Sequence, residues 1–378
     1  MAFEHSIRSG QRLLRCGYTT GTCAALAAQG AARLLLTGKV PDCLTVLTPK
    51  GWEVSVSPSE CRWQEEQAAC SVEKDAGDDA DVTDGLAITA TVTRCKTPGI
   101  TIDGGNGVGR VTKPGLDQPV GAAAINRVPR QMVEQQVKQV CQENGYTGGL
   151  KVIISIRGGE EAARRTFNPQ LGVEGGLSIL GTSGIVEPMS EQAIVDTIAL
   201  EIHQHATLSK RLILTPGNYG SDFLHTQGWD ACGVPVVKCS NFLGEALDCA
   251  AVEKVEQLLF VGHIGKLVKV AGGIMNTHSR YADCRAEIFC AHAALCGATT
   301  QTCCALMGAA TADACLEILE REYLREPVIN SILQAMQTHL QRRVGDGCTI
   351  GAVVFSNQFG LLGITRPAKE ILQQWQKK

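Results

Sequence analysis

The sequence predicts two domains: a strand-rich α+β domain over residues 1–174, then a Rossmann-like, mainly parallel α/β domain over 175–378 with helices towards its C-terminus. Three observations predict it. At 378 residues the chain is too long for one ordinary hydrophobic core. The first half gathers runs rich in Val, Ile and Thr. The second half alternates short apolar runs with Gly-rich loops and helical patterns, the rhythm of βαβ units.

Residues 19–36 open the first domain as a helix. Cys23, Leu26, Ala27, Gly30, Ala31 and Leu34 share one face at helical spacing. Thr19 or Thr20 caps its start, and Gly38 ends it. That face is nearly all small residues, so a neighbour must approach it closely. Strands are expected at 43–48, 52–57, 69–73 and 86–94. Between the last two lies an acidic loop, residues 73–84. Its Asp79, Asp81 and Asp84 imitate a calcium loop, but the twelfth position is Ala90 and not Glu. A solvated loop is therefore expected. A helix over 129–143 starts on Pro129, and Lys151–Ile156 reads as a buried strand.

In the second half, Leu177–Leu180, Arg211–Leu214, Val234–Lys238 and Leu258–Val261 read as strands of one sheet. Each is followed by a loop suited to ligands: Gly181–Gly184, Thr215–Gly220, Cys239–Asn241 and Gly262–Lys266. Helices are expected from Ser190 to Gln204, up to Val255, and over most of 282–340. Ala352–Phe355 is a late strand.

Composition narrows the function. The chain is 44% apolar and 19% charged, with 35 basic and 38 acidic residues. That profile is globular and argues against a general nucleic-acid binder. No run of about 18 apolar residues predicts a membrane span. Met1-Ala-Phe-Glu-His-Ser has no apolar leader core, so a cytoplasmic protein is expected. The 17 cysteines sit in apolar runs without C-x-x-C spacing, which predicts reduced thiols and no metal site.

Two kinds of segment are candidates for chemistry. In an open parallel sheet, ligands bind beyond the carboxyl ends of the strands, near a switch in strand order. The four loops named above fit that rule. The other is Asp103-Gly-Gly-Asn-Gly-Val-Gly-Arg110, which is dense in glycine beside Arg110 and Lys113. Pro114 follows too soon for a helix, so this is no dinucleotide fingerprint. A Ser-His-Asp set, a Cys-His set and a P-loop are all missing from the pattern. A ligand-holding apparatus without a nucleophile suits reactants that carry their own reactivity. A tetrapyrrole carrier and a dinucleotide-dependent oxidoreductase are the alternatives, and the missing G-x-G-x-x-G counts against the second.

Gly17–Ala25, Lys74–Asp79, Gly104–Leu116, Ala124–Asn126, Thr166–Pro169, Ser178–Ser190, Thr215–Gly220 and Gly262–Ser279 together resemble one family, the CbiD-type cobalt-precorrin-5B C-1-methyltransferases of anaerobic cobalamin biosynthesis. Arg127 and Arg157 depart from the family pattern, standing where proline is usual. The resemblance implies methyl transfer from S-adenosylmethionine to ring carbon C-1 of a small-molecule tetrapyrrole. That substrate carries its own cobalt, and the product is cobalt-precorrin-6A. It implies Gly104, Gly105, Asn106, Gly107 and Gly109 as the first choice for the donor, with Asp103 meeting the ribose. The rival is Gly181, Thr182, Ser183 and Gly184, with Glu187 on the ribose. Substrate carboxylates would meet Arg110, Lys113, Arg130, Asn218, Lys238, Ser240, Lys266, Lys269 and Arg280, and the helix start at Thr19, Thr20 and Thr22. Asp103 and His263 are the candidate proton acceptors.

Overall fold

The computed structural model describes residues 3–9, 11–39 and 42–376. The chain divides into two compact units, Met1–Ser190 and Glu191–Lys378.

In the first unit, helix α1 (Thr20–Thr37) starts on Thr19, whose hydroxyl accepts from the Thr22 N–H, and ends on left-handed Gly38. Strands β1 (Glu60–Gln64), β2 (Gln67–Glu73), β3 (Ala87–Cys95) and β4 (Ile100–Gly104) follow. Helix α2 (Arg127–Glu143) and strand β5 (Gly149–Ile156) complete the layer. The sheet order is β1-β2-β3-β5-β4. All pairs are antiparallel except β5 with β4. The small face of α1 has its reason here: a Cβ on Gly30 would lie 2.6 Å from Cys70 Sγ on β2. Buried Gln29 spans the two helices by donating to Gln136 at 2.7 Å.

The acidic loop is wired into this unit, contrary to the solvated reading. Lys74, almost fully buried, pairs with Asp81 at 2.6 Å. Arg15 pairs with Asp75, the Ala76 N–H donates to Asp84, and the Met189 N–H donates to Asp79. Gly17 and Gly77 let the two chain segments cross backbone to backbone. A Cβ on either would lie within 2.3 Å of main-chain atoms.

In the second unit, α3 (Glu191–Leu208) leads into β6 (Arg211–Thr215). Then come α4 (Asn218–Thr226), β7 (Val236–Lys238), α5 (Leu243–Val252), β8 (Gln257–His263) and α6 (Ile264–Ala271). Four helices follow: α7 (Arg285–Leu295), α8 (Thr300–Met307), α9 (Ala312–Arg321) and α10 (Arg325–Val344). The chain ends with β9 (Thr349–Ser356), β10 (Gly360–Ile364) and α11 (Arg366–Gln376). The sheet order is β7-β6-β8-β9-β10, parallel except for β10. The inner strands β6, β8 and β9 are buried apolar runs, as a parallel sheet covered on both faces requires, while the edge strands β7 and β10 are partly exposed.

The expected strand Leu177–Leu180 is not part of that sheet. Gly176–Leu177 pairs with Gly107–Val108 of the first unit, and Ile179 bridges Ile125 of the same unit. Ile185–Val186 likewise pairs with Gly17–Tyr18. These pairings hold residues 175–190 in the first unit, so the units divide sixteen residues beyond the 174/175 boundary read from the sequence.

Candidate functional site

Two clusters emerge, one in each unit. The sheet of the second unit reverses its strand order between β6 and β8, and its loops carry the residues expected there. Lys238, at the end of β7, donates to Asn218 Oδ1 at 2.8 Å. Lys266, in the first turn of α6, points back to the Pro216 carbonyl at 3.4 Å. Burial pulls the Lys266 ammonium below its ordinary pKa, and the neighbouring Lys269 adds to this. Ser240 sits in the left-handed region at φ 53°. Beneath them, Cys239 bonds the Thr215 carbonyl, and burial pushes its thiol up to about 12. It is therefore an inert packing group. Gly217 is different from most other glycines of the site, because a Cβ there would meet no atom within 4 Å.

His263 ends β8 and caps α6. Its Nδ1 accepts the Gly265 N–H at 3.1 Å, and its Nε2 lies 4.0 Å from Asp313 Oδ2. Asp313 in turn accepts from the Ser356 hydroxyl at 2.7 Å. A ring whose Nδ1 accepts carries its proton on Nε2, so His263 has no free lone pair and does not fit the expected role of base. Burial lowers its pKa from the ordinary 6.5, with Asp313 opposing. The unfolded chain then binds this proton at higher pH than the folded one. Its share of stability is whole above pH 6.5 and is lost as pH falls towards the folded value. His263→Asn keeps a capping acceptor. Urea titrations between pH 7.5 and 5.5 are expected to show a shallower loss of stability in that variant. An unchanged slope contradicts the link between His263 burial and acid destabilisation.

Not every expected cation belongs here. Lys269 is buried and donates to the Thr277 and Ala282 carbonyls at 3.0 and 2.9 Å, so it serves the fold. Arg280 is exposed and paired with Glu191 and Tyr281 on the surface.

In the first unit, Arg110 grips Asp103 through two hydrogen bonds, 2.8 and 3.1 Å, and donates to the Gly104 carbonyl at 3.0 Å. The guanidinium holds the Asp103 carboxyl below the usual range. Asp103 is therefore a poor proton acceptor, and Arg110 acts first as a brace. The glycines of this segment are filled by the protein's own chain. A Cβ on Gly107 would lie 2.0 Å from the Ile156 carbonyl, one on Gly109 2.4 Å from Val173, and one on Gly105 2.4 Å from Ser155. Gly104 is closed in by Val108 and Ala123, while Asn106 is exposed at the tip. Lys113 lays its stem over Gly172. Arg130 donates to the Ile102 carbonyl at 2.7 Å, and its Nε is buried without a partner among the described residues.

The second glycine segment, Gly181–Gly184, starts no helix. It wraps the start of α1: Thr22 donates to the Gly184 carbonyl at 2.6 Å, and Thr20 donates to the Leu180 carbonyl at 3.3 Å. The Gly21 N–H also bonds the Leu180 carbonyl. Thr19, Thr20 and Thr22 are thus spent on this segment and do not form an open anion site. Beyond it, the Ser183 carbonyl accepts the Lys50 N–H at 3.0 Å, and Glu187 pairs with the Lys50 ammonium. That ammonium lies 4.5 Å from the Trp52 ring, on which His5 stacks at 4.4 Å. Thr182 is exposed at the edge. Sequence reasoning found Glu187 but missed Lys50 and Trp52, which no motif marks. It also missed Glu201, whose carboxyl burial raises against the pull of Lys238, and Asp313.

Among the described residues, no group of three or more His, Cys, Asp or Glu is arranged to hold a metal ion, and no helix is long and apolar enough to cross a membrane. The 17 cysteines are free thiols.

The profile of the CbiD family matches residues 7–188, and that of the CbiD C-terminal domain matches 276–366. The chain is 49% identical over 356 residues to the cobalt-precorrin-5B C(1)-methyltransferase of Ruminiclostridium cellulolyticum, covering 94% of this chain and 92% of that protein. It is 40% identical over 372 residues to the protein of the same name from Alkaliphilus metalliredigens, covering 98% and 97%. A crystal structure of the cobalamin biosynthesis protein cbiD from Archaeoglobus fulgidus matches with 28% identity and a TM-score of 0.39, covering 73% of this chain and 86% of that one.

Proposed function

The chain belongs to the CbiD family, and from that membership we infer that it methylates C-1 of cobalt-precorrin-5B, giving cobalt-precorrin-6A. One observation carries the reading: the 49% identity extends over 94% of the chain, so both units are matched. The methyl donor is proposed to be S-adenosylmethionine, which brings an activated methyl group on a sulfonium. The second unit is read as Rossmann-like, on the parallel core of its sheet and the helices between its strands.

A polyacidic tetrapyrrole and a cationic donor ask for opposite environments. Lys238 and Lys266, with Asn218 and Ser240 between their loops, suit substrate carboxylates. Arg110, Lys113 and Arg130 are a second basic group, on the first unit. A sulfonium is repelled by either. The donor is assigned instead to Thr182, Ser183 and Glu187 beside Trp52: the carboxylate and indole ring that now hold the Lys50 ammonium would hold the sulfonium in its place, with Lys50 displaced. This reverses the first choice read from the sequence, because the Gly104–Gly109 backbone is packed against its own unit. The protein's own contribution is positioning and exclusion of water. Carbon attack on the methyl carbon breaks the C–S bond without a side-chain nucleophile.

Two measurements test this. Incubated anaerobically with the donor and cobalt-precorrin-5B, the protein should yield one product heavier by a single methylene. A carrier would bind the tetrapyrrole and leave its mass unchanged. By calorimetry, Glu187→Gln should weaken S-adenosylmethionine binding by about tenfold, as loss of one charged contact does. Lys266→Ala should leave donor affinity unchanged. Equal losses in the two variants contradict the assignment.

A further inference from the structure

Strand β1 is one of the two edge strands of the first unit's sheet, and one of its residues faces an unusual neighbour. Glu65 and Glu66 form the two-residue turn between β1 and β2, and Gln64 pairs with Gln67. Such a turn closes on a hydrogen-bonded pair, and the pairs then alternate. Cys61 and Cys70 are register partners three steps further on, which makes theirs a non-hydrogen-bonded pair. In that geometry the Cα atoms are about 4.5 Å apart, inside the range that a disulfide spans. The Cys61 thiol donates to Cys70 Sγ at 3.4 Å, so the rotamers already point at each other. Gly30 of α1 leaves the notch that Cys70 occupies, since a Cβ there would lie 2.6 Å from its sulfur.

We propose that Cys61 and Cys70 are a redox modification site, a dithiol that closes reversibly to a cross-strand disulfide by exchange with a small-molecule disulfide. The methyl-transfer chemistry leaves these residues unused. Cys61 is partly exposed and Cys70 is buried, so Cys61 is the entry thiol. Its thiolate attacks one sulfur of the small disulfide, whose S–S bond breaks and releases one thiol. Cys70 then loses its proton to solvent and attacks the Cys61 sulfur, releasing the second thiol. One disulfide and two protein thiols become one protein disulfide and two small thiols. Burial, together with the Cys61 thiol, pushes the Cys70 thiol up. Closure is thus the slower step, and it speeds up as pH rises. The cross-link pins the open edge strand β1 to β2.

The test uses the full chain, reduced, then exposed to oxidised glutathione and blocked with N-ethylmaleimide. Arg62 lies between the two cysteines, so trypsin yields peptides 51–62 and 63–74. The expected product is these two peptides joined, less two hydrogens, and released by dithiothreitol. Cys70→Ser should trap a stable glutathione adduct on Cys61, and Cys61→Ser should give neither species. Amide exchange over residues 60–64 should slow at least about tenfold on oxidation. The inference is overturned if both cysteines remain alkylated while Cys290 and Cys303, another contacting pair, become oxidised. It is equally overturned if wild-type protein retains the Cys61 adduct without closing. Either failure leaves methyl transfer intact, so the two readings fail separately.

Discussion

Gly107→Val is expected to destabilise the first unit by about 3 kcal/mol or more, and most of the variant should be recovered unfolded or aggregated. Two costs combine. Gly107 has φ +77°, a region that a β-branched side chain avoids, and its Cβ would lie 2.0 Å from a main-chain oxygen. None of the three neighbours can yield: Ile156 ends an inner strand, Gly159 lies 3.3 Å from the same Cβ, and Gly176 is the register partner of Gly107. Gly217→Ala is the control. Its φ is extended and its Cβ would meet open space, so its denaturation midpoint should match wild type. A folded Gly107→Val protein with an unshifted midpoint would show that this glycine is kept for a ligand and not for packing.

The second large effect is functional. Lys238→Ala combined with Lys266→Ala should reduce kcat/KM for the tetrapyrrole by about 100- to 1,000-fold. Each charged contact to a substrate carboxylate contributes about 1.5–2 kcal/mol. The loss should appear mainly in KM, because these contacts hold carboxylates remote from the reacting carbon. Donor affinity and the thermal midpoint should stay near wild type. A double variant with normal KM and depressed kcat would move the lysines from binding to the chemical step.

Legibility in the sequence varied for physical reasons. Helix α1 was legible because its small residues repeat at helical spacing and threonine and glycine mark its ends. The parallel strands of the second unit were legible as buried apolar runs between turn residues. Leu177–Leu180 resembles those runs equally well, yet Leu177 pairs with Val108, beside Gly176 with Gly107, a long-range contact that no local pattern encodes. Helix α4 was read as loop because Asn218, Tyr219 and Gly220 carry turn chemistry. Strand β1 was missed because an edge strand with Glu60, Arg62 and Gln64 buries little and shows no apolar alternation.

The proposed site divides along the same line. Asn218, Lys238, Ser240 and Lys266 were legible because a rule about sheet edges locates them once the strands are placed. The glycine segments are ambiguous in sequence, since glycine serves a close ligand and a close backbone by the same property. Their Cβ surroundings favour the backbone at Gly105, Gly107 and Gly109. Trp52 and Lys50 had no signal, because their partners His5 and Glu187 are distant in sequence.

Methyl transfer to C-1 by this chain is read most directly by carbon NMR of the tetrapyrrole isolated after anaerobic incubation with donor carrying a ¹³C-labelled methyl group. One enriched methyl signal is expected on a quaternary ring carbon assigned to C-1, with S-adenosylhomocysteine in equal amount. Enrichment at another ring carbon, or an unlabelled tetrapyrrole recovered with the donor intact, would contradict methyl transfer to C-1.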